Sequence, residues 1–157
     1  MRKCESAGVR KCESAGVRKC GSFKYIESKI MDNREFKLVL EKRTKAFAIS
    51  VVKFCIYLRN LNIPNAIITQ LLKAGTAIGS NYREANRAES KKDFIHKIGI
   101  VEKEASETEY WLEVISESNI LEKNDSEQLI QLMKESKELL ALFTSISKKT
   151  KKKFESS

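Results

Sequence analysis

Few side chains in this sequence are placed to do catalytic or metal-binding chemistry. The single histidine, His96, stands three residues after Asp93, whereas a di-iron helical bundle needs two Glu-x-x-His motifs. A nucleophilic triad would have to use the same histidine, and nothing else in the sequence supports one. We therefore predict a protein that is not an enzyme and has no cofactor or metal, with His96 as a surface polar residue.

The cysteines do not form a metal site either. Cys4, Cys12 and Cys20 are eight residues apart with no histidine nearby, while zinc ligands usually come in pairs two to four residues apart. We interpret these three as free thiols. Cys55 follows Phe54 in an apolar stretch and is predicted to be a small core residue.

Basic side chains form two groups that suit a polyanion. On the second predicted helix they belong to a polar stripe that also includes Thr76 and Ser80 and recurs at steps of three and four, which places it on one face, and two lysines extend it. Its basic members are Lys73, Arg83, Arg87, Lys91 and Lys92. The second group is the C-terminal run Lys148, Lys149, Lys151, Lys152 and Lys153. Both groups are candidate nucleic-acid contacts, although an ordinary solvated surface is the alternative for each. Because the aromatic residues fall mostly on core faces, we expect any binding to use phosphates rather than base stacking.

Charge and repetition divide the 157 residues into three zones. Residues 1–30 carry a net charge of +5, residues 31–147 a net charge of 0, and residues 148–157 a net charge of +4. The octapeptide RKCESAGV occurs twice without change at residues 2–17, and a third copy begins at Arg18. Each copy has too little apolar surface to offset the entropy of ordering it. We predict a disordered extension at 1–30, with Met31 as a candidate start, then a domain at 31–147 and a basic tail at 148–157.

The domain has the apolar periodicity of four helices. One proline and six glycines provide too few turns for an all-β fold, and apolar residues recur at steps of three and four in four segments. Ser90 is the predicted N-cap that separates the second helix from the third, and Asn124 or Asp125 is predicted to cap the fourth. Short joints between helices of similar length indicate an all-α, antiparallel up-down-up-down four-helix bundle. No apolar stretch could span a membrane and no secretory signal is evident, so we expect a cytoplasmic protein.

Two further features concern packing. Gly75 and Gly79 sit among small residues, which predicts that a neighbouring helix backbone approaches closely there. On the third helix, four apolar residues lie beside the main stripe and suit either core packing or a subunit interface: Ile100, Tyr110, Trp111 and Val114. Residues 31–90 carry +5 and residues 91–147 carry −5, a split compatible with complementary subunit surfaces or with chance.

Two blocks of the sequence resemble a known bacterial family. The run QLLKAGTAIGSNYREA at residues 70–85 is similar to its first signature, and SKKDFIHK at 90–97 with EKEASETEYWL at 102–112 is similar to its second. These are the four-helix-bundle proteins also called 23S rRNA intervening-sequence proteins. The resemblance spans about residues 31–149.

The resemblance implies a ring-like homopentamer with no assigned catalytic residues. It also implies a link to RNA, because genes of this kind occur within 23S rRNA genes. A similar protein, the accessory variability determinant of diversity-generating retroelements, is a basic pentamer that binds a reverse transcriptase and nucleic acid. The expected functions are therefore a non-enzymatic RNA-associated protein or, alternatively, an adaptor ring that docks an RNA-handling enzyme. The balanced charge of the domain differs from a strongly basic ring.

Overall fold

The computed structural model describes residues 33–118, 120–121 and 126–156, which contain four helices and no strand. The predicted extension at 1–30 and the predicted caps Asn124 and Asp125 lie outside the described residues. The helices are α1 (Asn33–Asn60), α2 (Asn65–Ala85), α3 (Lys91–Glu117) and α4 (Ser126–Glu155). The predicted all-α four-helix bundle is confirmed.

Each helix packs against the helices before and after it, and α1 also meets α4, which closes the bundle. The core consists of the apolar helix faces that the periodicity predicts. Each helix contributes fully buried side chains, for example Phe54, Ile78, Leu112 and Phe143. Tyr82 is buried against Phe143 with ring centroids 5.3 Å apart, and this burial raises its pKa.

The joints follow local sequence signals. Ser90 has an extended backbone and its side chain accepts a hydrogen bond from the Asp93 backbone N–H at 3.1 Å, so the predicted N-cap of α3 is confirmed. Between α1 and α2, Asn62 adopts φ 56°, a left-handed conformation that asparagine tolerates better than most residues. Pro64 directly precedes α2, and its fixed φ suits the start of a helix.

The α1–α2 interface is close, as the small residues predict. A Cβ atom added to Gly75 would lie 2.9 Å from Val51 Cγ1, nearer than carbon atoms normally approach. One helical turn further, a Cβ at Gly79 would lie 3.4 Å from the Thr44 carbonyl oxygen. The Thr44 hydroxyl itself donates to the Leu40 carbonyl at 2.9 Å, so this buried polar group is satisfied within α1.

The α1–α4 interface is joined instead by an ionic cluster beside an open groove. Arg43 on α1 donates from Nε to Glu135 at 2.6 Å and from Nη2 to both Glu135, at 2.9 Å, and Glu138, at 2.6 Å. These hydrogen bonds, led by the one to Glu135, raise the Arg43 pKa. The adjoining groove has a volume of about 340 Å³ and is lined by Phe47 and Leu132 among mostly polar residues.

Helix α4 is longer than the sequence indicated. The residues predicted as a separate basic tail from position 148 continue the helix to Glu155. Lysine is a good helix former, and cations in a last turn interact favourably with the helix dipole, which explains how a segment without apolar periodicity stays helical. The lysines therefore have fixed positions on a helix.

Candidate nucleic-acid interface

Most of the predicted nucleic-acid contacts share one end of the bundle. The antiparallel topology brings the end of α2, the start of α3 and the end of α4 to the same side. We call this region, residues 83–92 and 148–155, the basic end. It carries nine basic and three acidic side chains. The basic ones are Arg83, Arg87, Lys91, Lys92, Lys148, Lys149, Lys151, Lys152 and Lys153.

The basic side chains at this end are exposed. Arg87, Lys91 and Lys92 are all open to solvent, and Arg83 makes only a long contact of 4.0 Å with Glu41. Among the acidic neighbours, Glu84 pairs with Lys97 at 3.5 Å. The basic end therefore presents a positive surface that an anion can approach.

Lys73 is the predicted contact that the structure does not bring to the basic end. It is exposed on α2, but ten residues before Arg83, which is about 15 Å along the helix axis. Lys73 and Arg83 share a face, as predicted, so a long polyanion could contact both. A short ligand at the basic end could not.

Charge along α3 opposes the dipole of its own helix. Lys91 and Lys92 occupy its first turn, where anions are preferred, and residues 107–117 carry four glutamates towards its C-terminus, where cations are preferred. Only charges in the first and last turns interact appreciably with the dipole, by about 0.3–1 kcal/mol each, and Asp93 in the first turn is favourably placed. Two of these glutamates, Glu109 and Glu113, lie 4.0 and 3.6 Å from Lys137 of α4 and so take part in the α3–α4 contact. The described bundle is therefore positive at the basic end, with glutamates towards the other end of α3.

A small apolar pocket lies within the basic end. It is formed between the start of α3 and the last turns of α4, has a volume of about 170 Å³, and is lined by Lys91, Phe94, Ile95, Thr150, Lys153 and Phe154. Phe154 is 48% exposed. Phe154 is therefore an exception to the expectation that the aromatic residues lie mostly on core faces.

The four predicted interface residues on α3 divide by exposure. Tyr110 is 57% exposed, whereas Ile100, Trp111 and Val114 are each partly buried. Trp111 packs against the core, and its indole N–H donates to the Glu107 carboxylate at 3.4 Å. Tyr110 meets Trp111 edge-on with ring centroids 5.1 Å apart. Core packing therefore explains much of the burial of Trp111. Tyr110 is the one of the four whose side chain is accessible to another subunit.

The sequence analysis missed an apolar row on the outer side of α1. Leu38, Ile49, Val52 and Ile56 are exposed by 52%, 46%, 37% and 56% respectively. The last three are spaced by three and four residues and so share one face. The signal was present as apolar residues outside the buried stripe of α1, but that stripe alone was used to define the helix.

The described cysteine and histidine occupy the positions that the sequence predicts. Cys55 is buried, which raises the pKa of its thiol from 9.0 to about 11, and it is the core residue predicted. His96 is exposed on α3, as predicted. Across the described residues, histidine, cysteine and acidic side chains form no group of three that could hold a metal ion. None of the described helices combines the length and apolarity needed to cross a membrane.

Comparisons with known proteins agree with the fold. The family described as 23S rRNA-intervening sequence protein matches residues 37–142. The fold is also similar to a crystal structure of a protein with unknown function from the S23 ribosomal protein family of Bacteroides thetaiotaomicron VPI-5482. That likeness has a TM-score of 0.63 and 37% sequence identity, and covers 69% of this chain and 97% of the other. No curated protein matches the sequence. Because the family match extends over about two thirds of the chain, the protein belongs to the 23S rRNA-intervening sequence protein family.

Proposed function

We propose that this protein is a non-enzymatic, oligomeric RNA-associated protein whose basic end contacts RNA phosphates. The observation that carries the proposal is the concentration of exposed cations at one end of a bundle whose charge is otherwise balanced. Lys91 and Lys92 add to it, because both are exposed in the first turn of α3, where the helix dipole favours anions over cations.

Salt dependence tests this proposal. Each neutralised phosphate of single-stranded RNA contributes about −0.7 to the slope of log affinity against log salt concentration. If an oligomer presents several basic ends, we expect a slope of about −4 or steeper. Replacing Arg83 and Arg87 by glutamate should flatten the slope. The control Lys53→Glu changes an exposed lysine in the second half of α1, away from the basic end, and should leave the slope nearly unchanged.

Two results would contradict the proposal. The first is no binding of the wild-type protein to RNA in about 50 mM salt, where phosphate contacts are strong. The second is an equal loss of affinity in the Lys53→Glu control, which would indicate general polyanion attraction without a preferred end.

We also propose that the protein assembles beyond a dimer, with a pentamer as the expected form. Tyr110 is more than half exposed beside an open groove between α3 and α4, and the glutamates of α3 complement the basic first half of the chain. Light scattering should give a mass well above twice the 17.9 kDa of one chain. Tyr110→Glu should yield smaller species that keep their helical circular dichroism; a monomeric wild-type protein at micromolar concentration would end the proposal.

The apolar row on α1 supports a second candidate function, an adaptor that docks an RNA-handling enzyme such as a reverse transcriptase. Three of its exposed aliphatic side chains, Ile49, Val52 and Ile56, share one face of α1 and form a surface of the kind that marks protein contacts. Co-purification of such an enzyme with the wild-type protein, and its loss when Ile49 and Ile56 are changed to serine, would favour the adaptor. Retention by the double variant would exclude this row as the docking surface.

A further inference from the structure

The pocket between α3 and α4, which we call the basic-end pocket, combines an apolar wall with a charged rim. Phe94, Ile95 and Phe154 supply the wall, and Lys91 and Lys153 supply the rim. Thr150 adds little free polarity, because its hydroxyl donates to the Ile146 carbonyl of its own helix at 2.7 Å. A ligand that suits this pocket has an apolar face of limited size attached to negative charge.

The size of the pocket narrows the ligand further. The pocket has a volume of about 170 Å³. Pockets for drug-sized molecules are usually about 300–1,000 Å³. One ring system therefore suits the available space, and a larger apolar group does not.

Phe154 gives the pocket a stacking surface. It is 48% exposed and stands in the last turn of α4, directly after a run of lysines. Proteins that bind single-stranded nucleic acid stack unpaired bases on aromatic rings, because every base has a flat face. Nearby cations contact the phosphate that each nucleotide carries. A base that remains paired in a duplex presents only its edge and cannot enter.

We infer that the basic-end pocket holds one unstacked nucleobase of single-stranded RNA against Phe154, while Lys91 and Lys153 contact the adjacent phosphates. The inference rests on the proposed RNA association. It adds that the RNA is single-stranded or bulged and that Phe154 is the residue that contacts the unstacked base. Binding then has two components: a salt-dependent one from the lysines and a salt-independent one from the ring.

The test compares three probes by fluorescence anisotropy: a labelled 12-nucleotide single strand, the duplex of the same sequence, and a single strand of equal length without bases. The wild-type protein should bind the single strand about tenfold or more tighter than the abasic strand, since stacking of one base on an aromatic ring accounts for a difference of that order. Phe154→Ala should remove this difference and leave the salt slope unchanged, and Phe154→Trp should retain the preference.

Matched variants separate the pocket from the rest of the surface. Ile130→Ala removes another exposed apolar side chain of α4, 60% exposed and near the opposite end of the helix, and should have no effect. Lys152 and Lys153 are adjacent, but successive helical residues are rotated by about 100°, and only Lys153 lines the pocket. Lys153→Glu should therefore weaken single-strand binding more than Lys152→Glu does. Circular dichroism confirms that each variant is folded.

The outcomes distinguish this inference from the proposal on which it rests. Equal wild-type affinity for the base-containing and abasic strands would overturn the pocket assignment and leave phosphate-mediated RNA association in place, with an apolar side chain of a partner protein as the remaining occupant. An unchanged preference in Phe154→Ala would also overturn it. If the wild-type protein bound no probe in about 50 mM salt, both the pocket assignment and the proposed RNA association would be overturned.

Discussion

Helix α1 contacts its two neighbours in different ways, although Asn86, the C-cap of α2, also donates a hydrogen bond to Glu41 of α1 at 2.9 Å. Against α2, Gly75 lets the backbones approach until a single added carbon would meet Val51, and the contact is apolar and closely packed. Against α4, Arg43 reaches across to Glu135 and Glu138 beside a groove of about 340 Å³. A bundle can thus close one side by shape and another by charge, and the two sides should respond differently to mutation, pH and salt.

The largest effect is expected where packing is closest. Gly75→Leu should lower the free energy of unfolding by about 3 kcal/mol, because the new side chain must displace Val51 or separate α1 from α2. Gly99→Leu on α3 is the matched control, since a Cβ at that position would meet nothing within 4 Å. There the gain in helix propensity should stabilise the fold by about 0.5–1 kcal/mol. Urea denaturation measures both, and equal losses would show that the α1–α2 contact is less close than the structure indicates.

A smaller effect should appear in the same interface when the pH is raised. Cys55 on α1 is buried with its sulfur 3.8 Å from the Ile68 carbonyl oxygen of α2, and burial raises its pKa from 9.0 to about 11. The folded state therefore keeps the proton after the unfolded chain has released it. This contribution to the free energy of unfolding is fully present below pH 9. As the pH rises from about 9 to 11, the free energy of unfolding falls by about 2 kcal/mol.

Cys55→Ala isolates this contribution. The variant loses some stability at every pH through the smaller side chain, but its stability should decline less between pH 8 and 11 than that of the wild-type protein. The difference between the two slopes, measured by urea denaturation at several pH values, is the quantity to follow. Parallel slopes would mean that the thiol is not desolvated at this interface.

The smallest effect is expected on the charged side. Arg43→Met keeps much of the side-chain volume but leaves Glu135 and Glu138 without their shared cation, and should cost about 1–2 kcal/mol because the cluster is only partly buried. Lys137→Met is the control: that lysine is 55% exposed and lies 3.6 Å from Glu113, so its loss should cost less than about 0.5 kcal/mol. Thermal unfolding compares the two, and equal shifts would show that Arg43 is an ordinary surface ion pair.

The sequence predicted best what depends on near neighbours in the chain. The N-cap at Ser90 follows from residue type and a spacing of three, and the buried stripes follow from the helical repeat. The close approach at Gly75 was predicted from small residues alone, although its partner Val51 was not. The contact between Arg43 and Glu135 spans 92 residues of sequence, and many other charged residues would have suited either partner equally well.

The end of α4 shows why part of the candidate site was missed. Apolar periodicity detects a helix that has a core to face, and the residues after Ser147 have lost that pattern even though they remain helical. Both the ordered positions of the lysines and the exposed ring of Phe154 depend on those last turns. The four-residue row on α1 was missed for a related reason, because apolar residues in a helix were assigned to its core.

The charge reversal along α3 has a kinetic consequence for how the molecule meets a large anion. With lysines at one end and glutamates towards the other, the described four-helix bundle has a permanent dipole moment that turns it in an electric field. A diffusing molecule near a polyanion would arrive with Lys91 and Lys92 foremost more often than chance allows, which raises the productive fraction of collisions. At physiological ionic strength the field extends only about 8 Å, so the rotation must occur in the last few ångströms of approach.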